Sequence, residues 1–298
     1  MSRFTAIDLS QLPAPTVVET LDYEQILGDM VADLQQRDAA FSALVESDPA
    51  YKILEVAAYR EMLLRQRVND ASRAVMLAYA GASDLDNLAA LFGVQRQVLD
   101  PGNPDAVPPI PPTYEDDTRL RRRVQLSLEG HSTAGPVGSY IFHALSASSQ
   151  VKDVTVISPG PGEIEITVLS TEGNGTADQA LLNQVDSVLN AENVRPLSDH
   201  PSVQAAQIIE YSVDAVLTLY SGPDAELVRQ TAEQAVNAFV AEQHVLGRDI
   251  TLSGLHAALH QAGVHNVQLT SPAASIVIAP HQAAWCIGVT VTTGGIDE

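Results

Sequence analysis

His256 and His260 stand four apart in a stretch that reads as a helix, the spacing that turns two imidazoles toward one zinc ion, and His265 follows. A zinc peptidase also needs a carboxylate between them as general base, but Ala257, Ala258 and Leu259 fill the gap. The pair therefore reads first as histidines on a partly exposed helix face and second as a metal-dependent hydrolase site. His131, His143, His200, His244 and His281 are isolated and read as structural or exposed. Gly135-Pro136-Val137-Gly138 and Gly173-Asn174-Gly175 fit turns, since no lysine follows to make a phosphate loop, and no Gly-x-Ser-x-Gly elbow occurs. Cys286, the single cysteine, lies in the apolar run Ala283-Ala284-Trp285-Cys286-Ile287. It excludes an intramolecular disulfide and reads as a buried thiol rather than a nucleophile. The basic cluster Arg119-Leu120-Arg121-Arg122-Arg123 follows Glu115-Asp116-Asp117, the charge order of an ordinary helix start, and reads as a solvated or protein-facing surface.

The field around these residues narrows the partners. The 298 residues carry a net charge of -21, which opposes nonspecific nucleic-acid binding. The charge is uneven: residues 1–123 hold 12 Lys and Arg against 19 acidic groups, and residues 124–298 hold 4 against 18, or -7 and -14. The second part needs counterions or a more basic partner. With 45% hydrophobic side chains the chain can bury a substantial core, and no apolar run approaches the ~20 residues of a membrane span or resembles a signal-peptide core. A soluble protein made in the cytosol, with no cofactor, is the expectation.

The elements that must position these groups begin with an extended arm over residues 1–20, marked by Pro13 and Pro15. Residues 21–99 read as a helical domain. A first helix is expected over 23–45; then Asp48 as N-cap and Pro49 at the first helical position open a second, uninterrupted to Ala80 and about 45 Å long. Ala57, Leu64, Ala71 and Ala78 recur every seven residues beside Leu54, Val68 and Val75, interrupted only by Glu61, a narrow seam suited to close helix–helix contact. Tyr51, Tyr59, Leu63, Met76, Leu77 and Tyr79 lie off it, so two faces are apolar. Gly81 reads as a C-cap and Ser83-Asp84 as the start of a shorter helix to Gly93.

Residues 100–113, with Pro101, Pro104, Pro108, Pro109, Pro111 and Pro112, read as a stiff linker. Beyond it helices and strands alternate, giving an α+β fold with a first module over 114–202 and a second over 203–298. Helices are expected at 118–129, 139–148, 178–189, 252–261 and from Pro223 to about Gln243; strands are expected at 151–157, 163–169, 203–220, 264–270, 275–278 and 285–292. The block 139–145 aligns with 253–259, and 151–159 with 264–272, which predicts a repeated helix–helix–strand–strand module.

In this order the motifs resemble one family. Asp48-Pro49 followed by Lys52-Ile53-Leu54-Glu55-Val56-Ala57-Ala58-Tyr59-Arg60-Glu61, Leu64-Arg65-Gln66-Arg67-Val68-Asn69-Asp70-Ala71, Leu77-Ala78-Tyr79-Ala80 and Asp84-Leu85-Asp86-Asn87-Leu88-Ala89-Ala90 is similar to the baseplate J proteins of contractile-tailed phages and R-type pyocin-like particles. Tyr114-Glu115-Asp116-Asp117 with Arg119, Ala134-Gly135-Pro136 with Tyr140 and His143-Ala144-Leu145, residues 151–159, and Val194-Arg195-Pro196-Leu197-Ser198-Asp199 continue the resemblance. Ser198 replaces the family's usual threonine and keeps the hydroxyl.

The resemblance implies a structural subunit without a catalytic centre. Two copies would join a smaller tail protein I-type partner in a wedge. Six wedges would then surround the hub, contact sheath-initiating proteins and neighbouring wedges, and dilate to trigger sheath contraction. It further implies location in the baseplate of a virion or tail-like particle assembled in the bacterial cytoplasm, with no membrane or nucleic-acid partner. On this reading Leu54, Ala57, Leu64, Val68, Ala71 and Val75 form the bundle contact, although the same seam also fits the internal core of the helical domain. The alternatives are a cell-wall hydrolase of a tail using His256 and His260, and a fibre-attachment protein, which the 5% aromatic content does not favour.

Overall fold

The computed structural model describes residues 7–13, 15–132, 134–222 and 224–297. Two compact units emerge, each considered by itself. Among described residues, one holds 7–96 and 116–124, the other 97–115 and 125–297.

In the first unit Asp22 caps α1 (Tyr23–Arg37), its carboxylate accepting from the amides of Glu24 and Gln25. The helix expected to run to residue 45 stops here because Asp38 turns extended and its carboxylate takes the Ala40 amide, starting a 3-10 turn at Ala39–Phe41. Helix α2 (Pro49–Ala74) begins with proline at its first position, as expected, but Asp48 does not cap it; that carboxylate accepts from Val45 N instead. Its 26 residues give about 39 Å, short of the expected 45. The chain turns at Met76–Ala80, where Ala80 N donates to Met76 O. Arg121 holds this turn: Nε donates to Leu77 O and Nη2 to Ala80 O, both at 2.7 Å.

Gly81 proves to be the N-cap of α3 (Ala82–Ala90), not a left-handed C-cap, with φ at -139°. A side chain there would meet Asp117 Oδ2 at 2.9 Å, so glycine admits the carboxylate that accepts the Ala82 amide. Among the buried side chains of this unit are Ile26, Leu27 and Ala58 between α1 and α2, and Leu85, Ala89, Val94 and Leu120 farther along.

The second unit starts where a stiff linker was expected. Val98–Asp100 (β1) and Thr113–Tyr114 (β2) pair antiparallel, and Asn103 bridges Ile110. Gly102, at φ +69°, allows the turn by lacking a Cβ that would strike the Ile110 and Pro111 backbone. After α4 (Asp117–Gly130) and α5 (Val137–Ala147) come β3 (Val151–Gly160), β4 (Glu163–Ser170), α6 (Gln179–Leu189) and β5 (His200–Ala205). In this sheet β4 is central, antiparallel to β3 and parallel to β5. Tyr140, Val154, Ile166, Val168 and Val185 build its core with α5 and α6.

The second sheet centres on β6 (Gln207–Leu219) and adds α7 (Ala225–Gln243), α8 (Leu252–Leu259), β7 (Val264–Ser271) and β8 (Gln282–Ile296). Tyr211, Val213, Ala215, Leu217 and Leu219 are buried at the period of two that a strand requires. The order is β7-β6-β8, antiparallel then parallel. Three expectations change. The stretch 203–220 divides at Ala206, whose amide bonds Val168 O. Residues 275–278 form no strand, only a bridge from Ile276 to Ile250. The helix expected to open at Pro223, which lies outside the described residues, has Asp224 as its N-cap.

The architecture is α+β with a helical N-terminal region. The order helix–helix–strand–strand does occur twice, but β3 pairs directly with β4 whereas β7 and β8 flank β6. Sequence similarity in the α5–β3 and α8–β7 blocks carries no information on which strand lies between.

Candidate assembly interface

The side of α2 facing α1 is set by Tyr51, Leu54, Ala58 and Met62, at three- and four-residue spacing. One position farther round, Asn69 is 3% exposed and engages the arm: its Nδ2 donates to Glu19 O at 2.9 Å and its Oδ1 accepts from Glu19 N at 3.0 Å. Tyr79 Oη adds a bond to Leu12 O at 3.1 Å, and Arg65 pairs with Glu61 and Glu19. The arm, expected to be extended, holds a 3-10 turn at Leu9–Gln11 and is tied at Glu19 to α2 and at Leu12 to Tyr79 beyond it. A polar residue amid apolar helix spacing was the available sequence signal for Asn69; its backbone partner 50 residues earlier was not.

Among the described residues the opposite side of α2 is largely uncovered. Ile53 (69%), Val56 (63%), Leu64 (68%) and Val68 (57%) are exposed large apolar side chains at successive spacings of three, eight and four residues, with Leu63 and Ala71 beside them. Of the six seam residues, Leu54 and Ala57 are half-buried; Leu64, Val68 and Ala71 are exposed. Val75 is also exposed but stands at the helix C-cap, beyond the last helical turn. The seam therefore splits: Leu54 packs in the α1 layer, and the middle of the seam faces outward. Leu64 and Val68 line a groove of about 210 Å³ with Val17, Glu19, Arg65 and Asn69.

Transfer of each large exposed side chain from water contributes about 1.5–3 kcal/mol, while association costs about 4–15 kcal/mol. A partner must cover most of this face, not one or two residues of it.

The other candidates resolve differently. His260 is the C-cap of α8, where the chain leaves the helix at a ψ of 74°; its amide donates to His256 O. Among the described residues no group of three or more His, Cys, Asp and Glu side chains could hold a metal ion. Cys286 is half-buried rather than buried, and burial pushes its thiol pKa up. The arginine cluster is an internal clamp: besides Arg121, Arg123 is 5% exposed and donates to Gln95 O. Asp117, held below the usual carboxylate range first by the Ala82 amide and then by Arg96, completes it. None of this is legible from spacing, because the acceptors are carbonyls about 30 to 40 residues distant.

The motif 194–199 also finds a structural role. Tyr140, 1% exposed, donates from Oη to Asp199 Oδ2 at 2.7 Å, and burial, followed by that carboxylate, raises its pKa. Gly135, at φ +70°, sits where a Cβ would meet Pro196 and Asp199. Between the two sheets, Asp153 accepts the Leu246 amide at 3.1 Å, and Leu169, Ala206, Leu246 and Ala283 form a small shared cluster. His244, 4% exposed, bonds Ala284 O through Nδ1 and meets Trp285 edge-on.

Three family models match in chain order: the Baseplate J-like N-terminal domain over residues 46–103, the central domain over 132–205 and the C-terminal domain over 211–292. They define a class, the structural baseplate proteins of phage-type tails. "Baseplate protein J" of Escherichia phage P2 is 47% identical over 299 residues, spanning 98% of this chain and 99% of its own. The chain belongs to the baseplate J family. In the cryo-EM structure of the anti-feeding prophage baseplate, one chain matches 60% of this one at 14% identity and a TM-score of 0.43; the match spans 44% of that chain. No helix among the described residues is long and apolar enough to cross a membrane.

Proposed function

We propose that the chain is the wedge subunit of a contractile baseplate. Two copies combine with one smaller tail protein I-type partner, and six such wedges form a ring around the tail hub. Hub, sheath-initiating proteins and neighbouring wedges are the further contacts, in a particle assembled in the bacterial cytoplasm. The observation that carries this reading is the outward apolar face of α2, centred on Leu64, Val68 and Ala71, on a helix whose other side is already occupied. Leu54, Ala57 and Val75 extend the proposed contact. Family membership supports it. The second unit, with Asp153 and a shared apolar cluster joining its two sheets, suits a body that moves as a whole when the ring dilates and triggers contraction.

Co-expression with the candidate I-type protein and mass determination of the purified complex test this. A two-to-one complex is the expected result, lost when Ala57 and Ala71 are both changed to Trp while the isolated chain keeps its circular dichroism. Ala71 is exposed, so its replacement alone leaves folding untouched and separates the two effects. A soluble monomer that ignores the candidate overturns the wedge reading.

A further inference from the structure

The uncovered face of α2 is not purely apolar. Arg60 and Arg67 lie on it seven residues apart, about 10 Å along the axis, between Val56, Leu63, Leu64 and Ala71. Both are exposed, and among the described residues neither makes an ion pair. On the same helix Arg65 pairs with Glu61 and Glu19 and Lys52 with Glu55, while exposed Arg73, toward the C-terminal end, also makes no ion pair among the described residues. Glu61, on the flank, is taken by Arg65, and Asp70 accepts from Gln66. The charges on the bare face are therefore both positive, in a chain of net charge -21.

We infer that this face receives one amphipathic helix from a different protein, with an apolar seam flanked by carboxylates about seven residues apart that meet Arg60 and Arg67. This rests on the assembly role of the α2 face proposed above and adds the chemistry of its occupant. A second copy fits less well. Laid parallel, it sets Arg60 and Arg67 against their own counterparts, and in either direction its matching face brings no carboxylate. An acidic helix pairs both arginines while its seam covers Leu64 and Val68. As the interface closes and water leaves, the guanidinium groups keep planar two-point partners.

The test uses the purified full chain and two labelled synthetic helices of about three heptads, with identical Leu and Ile seams and either Glu or Lys at every flanking position. Like flanking charges keep each peptide from pairing with itself. Fluorescence anisotropy should give the Glu peptide roughly tenfold tighter binding at low salt, with the gap closing near 1 M, where the screening length falls to about 3 Å. In the Arg60→Glu/Arg67→Glu chain, checked for unchanged circular dichroism, the preference should invert. Equal binding of both peptides, binding of neither, or a dimer of the chain alone that Leu64→Asp dissolves would each overturn the acidic-helix inference.

The same double variant, co-expressed with the candidate partner, separates the two ideas. A variant complex as stable as the unaltered one overturns the inference and leaves the wedge standing. Failure of the unaltered chain to form any complex overturns the wedge, and the peptide comparison still decides the occupant of the face.

Discussion

Strand β6, central in its sheet, and α2, the longest helix of its unit, treat apolar residues in opposite ways. Along β6 the inward series from Tyr211 to Leu219 is covered by α7, α8 and the flanking strands, and Leu217 is 0% exposed. Along α2 the series facing α1 is covered, but Leu64, two residues past Met62 and on the other side of the helix, is 68% exposed. The same residue type thus serves internal cohesion in one place and stands free in the other. A sheet with crossover helices closes its own core because the connections return across its face. Two helices joined through residues 38–48 share one seam and leave the remaining stripe of α2 exposed.

This contrast can be broken by measurement, beginning where the effect is largest. Leu217→Ala should cost about 2–5 kcal/mol of stability, since it empties space in a closed core. Leu64→Ala should change the stability of the isolated chain by no more than about 0.5 kcal/mol while weakening any complex formed through α2. Chemical denaturation of both variants checks the pair, and comparable losses would mean that α2 is covered within the chain after all.

Asn69→Ala comes next at about 1–3 kcal/mol, because the Glu19 amide and carbonyl each lose their side-chain partner. Faster hydrogen exchange confined to residues 15–22 and the middle of α2 is the expected signature. Exchange spread through the sheets would contradict a local tie.

The smallest effect concerns pH. Burial, ahead of other causes, depresses the imidazoles of His143 and His244 below their ordinary 6.5, so both are neutral in the fold. The unfolded chain takes up protons first as pH falls below 6.5. Their contribution is therefore complete above that value and is lost as pH drops from it toward the folded pKa values. Melting temperature should fall between pH 7 and 5. The fall should be smaller in His244→Gln, whose side chain cannot titrate, and an unchanged fall would remove His244 from the cause.

Much of this protein was legible from residues alone. Periodicity of 3.6 and 2 is a local property of side-chain direction, so the helical N-terminal region, the α+β second half and most element cores followed from spacing. Even there, α1 ended early because Asp38 could bind the Ala40 amide, a choice that apolar spacing does not register. The family emerged from the order of short motifs such as Asp48-Pro49 and Val194–Asp199.

What each polar residue in those motifs does was decided only by tertiary structure. Asn69 ties down Glu19, Arg121 clamps the carbonyls of Leu77 and Ala80, and Asp199 receives Tyr140. The seam illustrates the same division. Sequence placed Leu54, Ala57, Leu64, Val68 and Ala71 along one helix, whereas the tertiary structure packs Leu54 against the α1 layer, leaves Ala57 half-buried and exposes the rest. Local spacing fixes which way a side chain leaves its own backbone; what meets it there depends on chain returning from tens of residues away, and that encounter exists only in three dimensions.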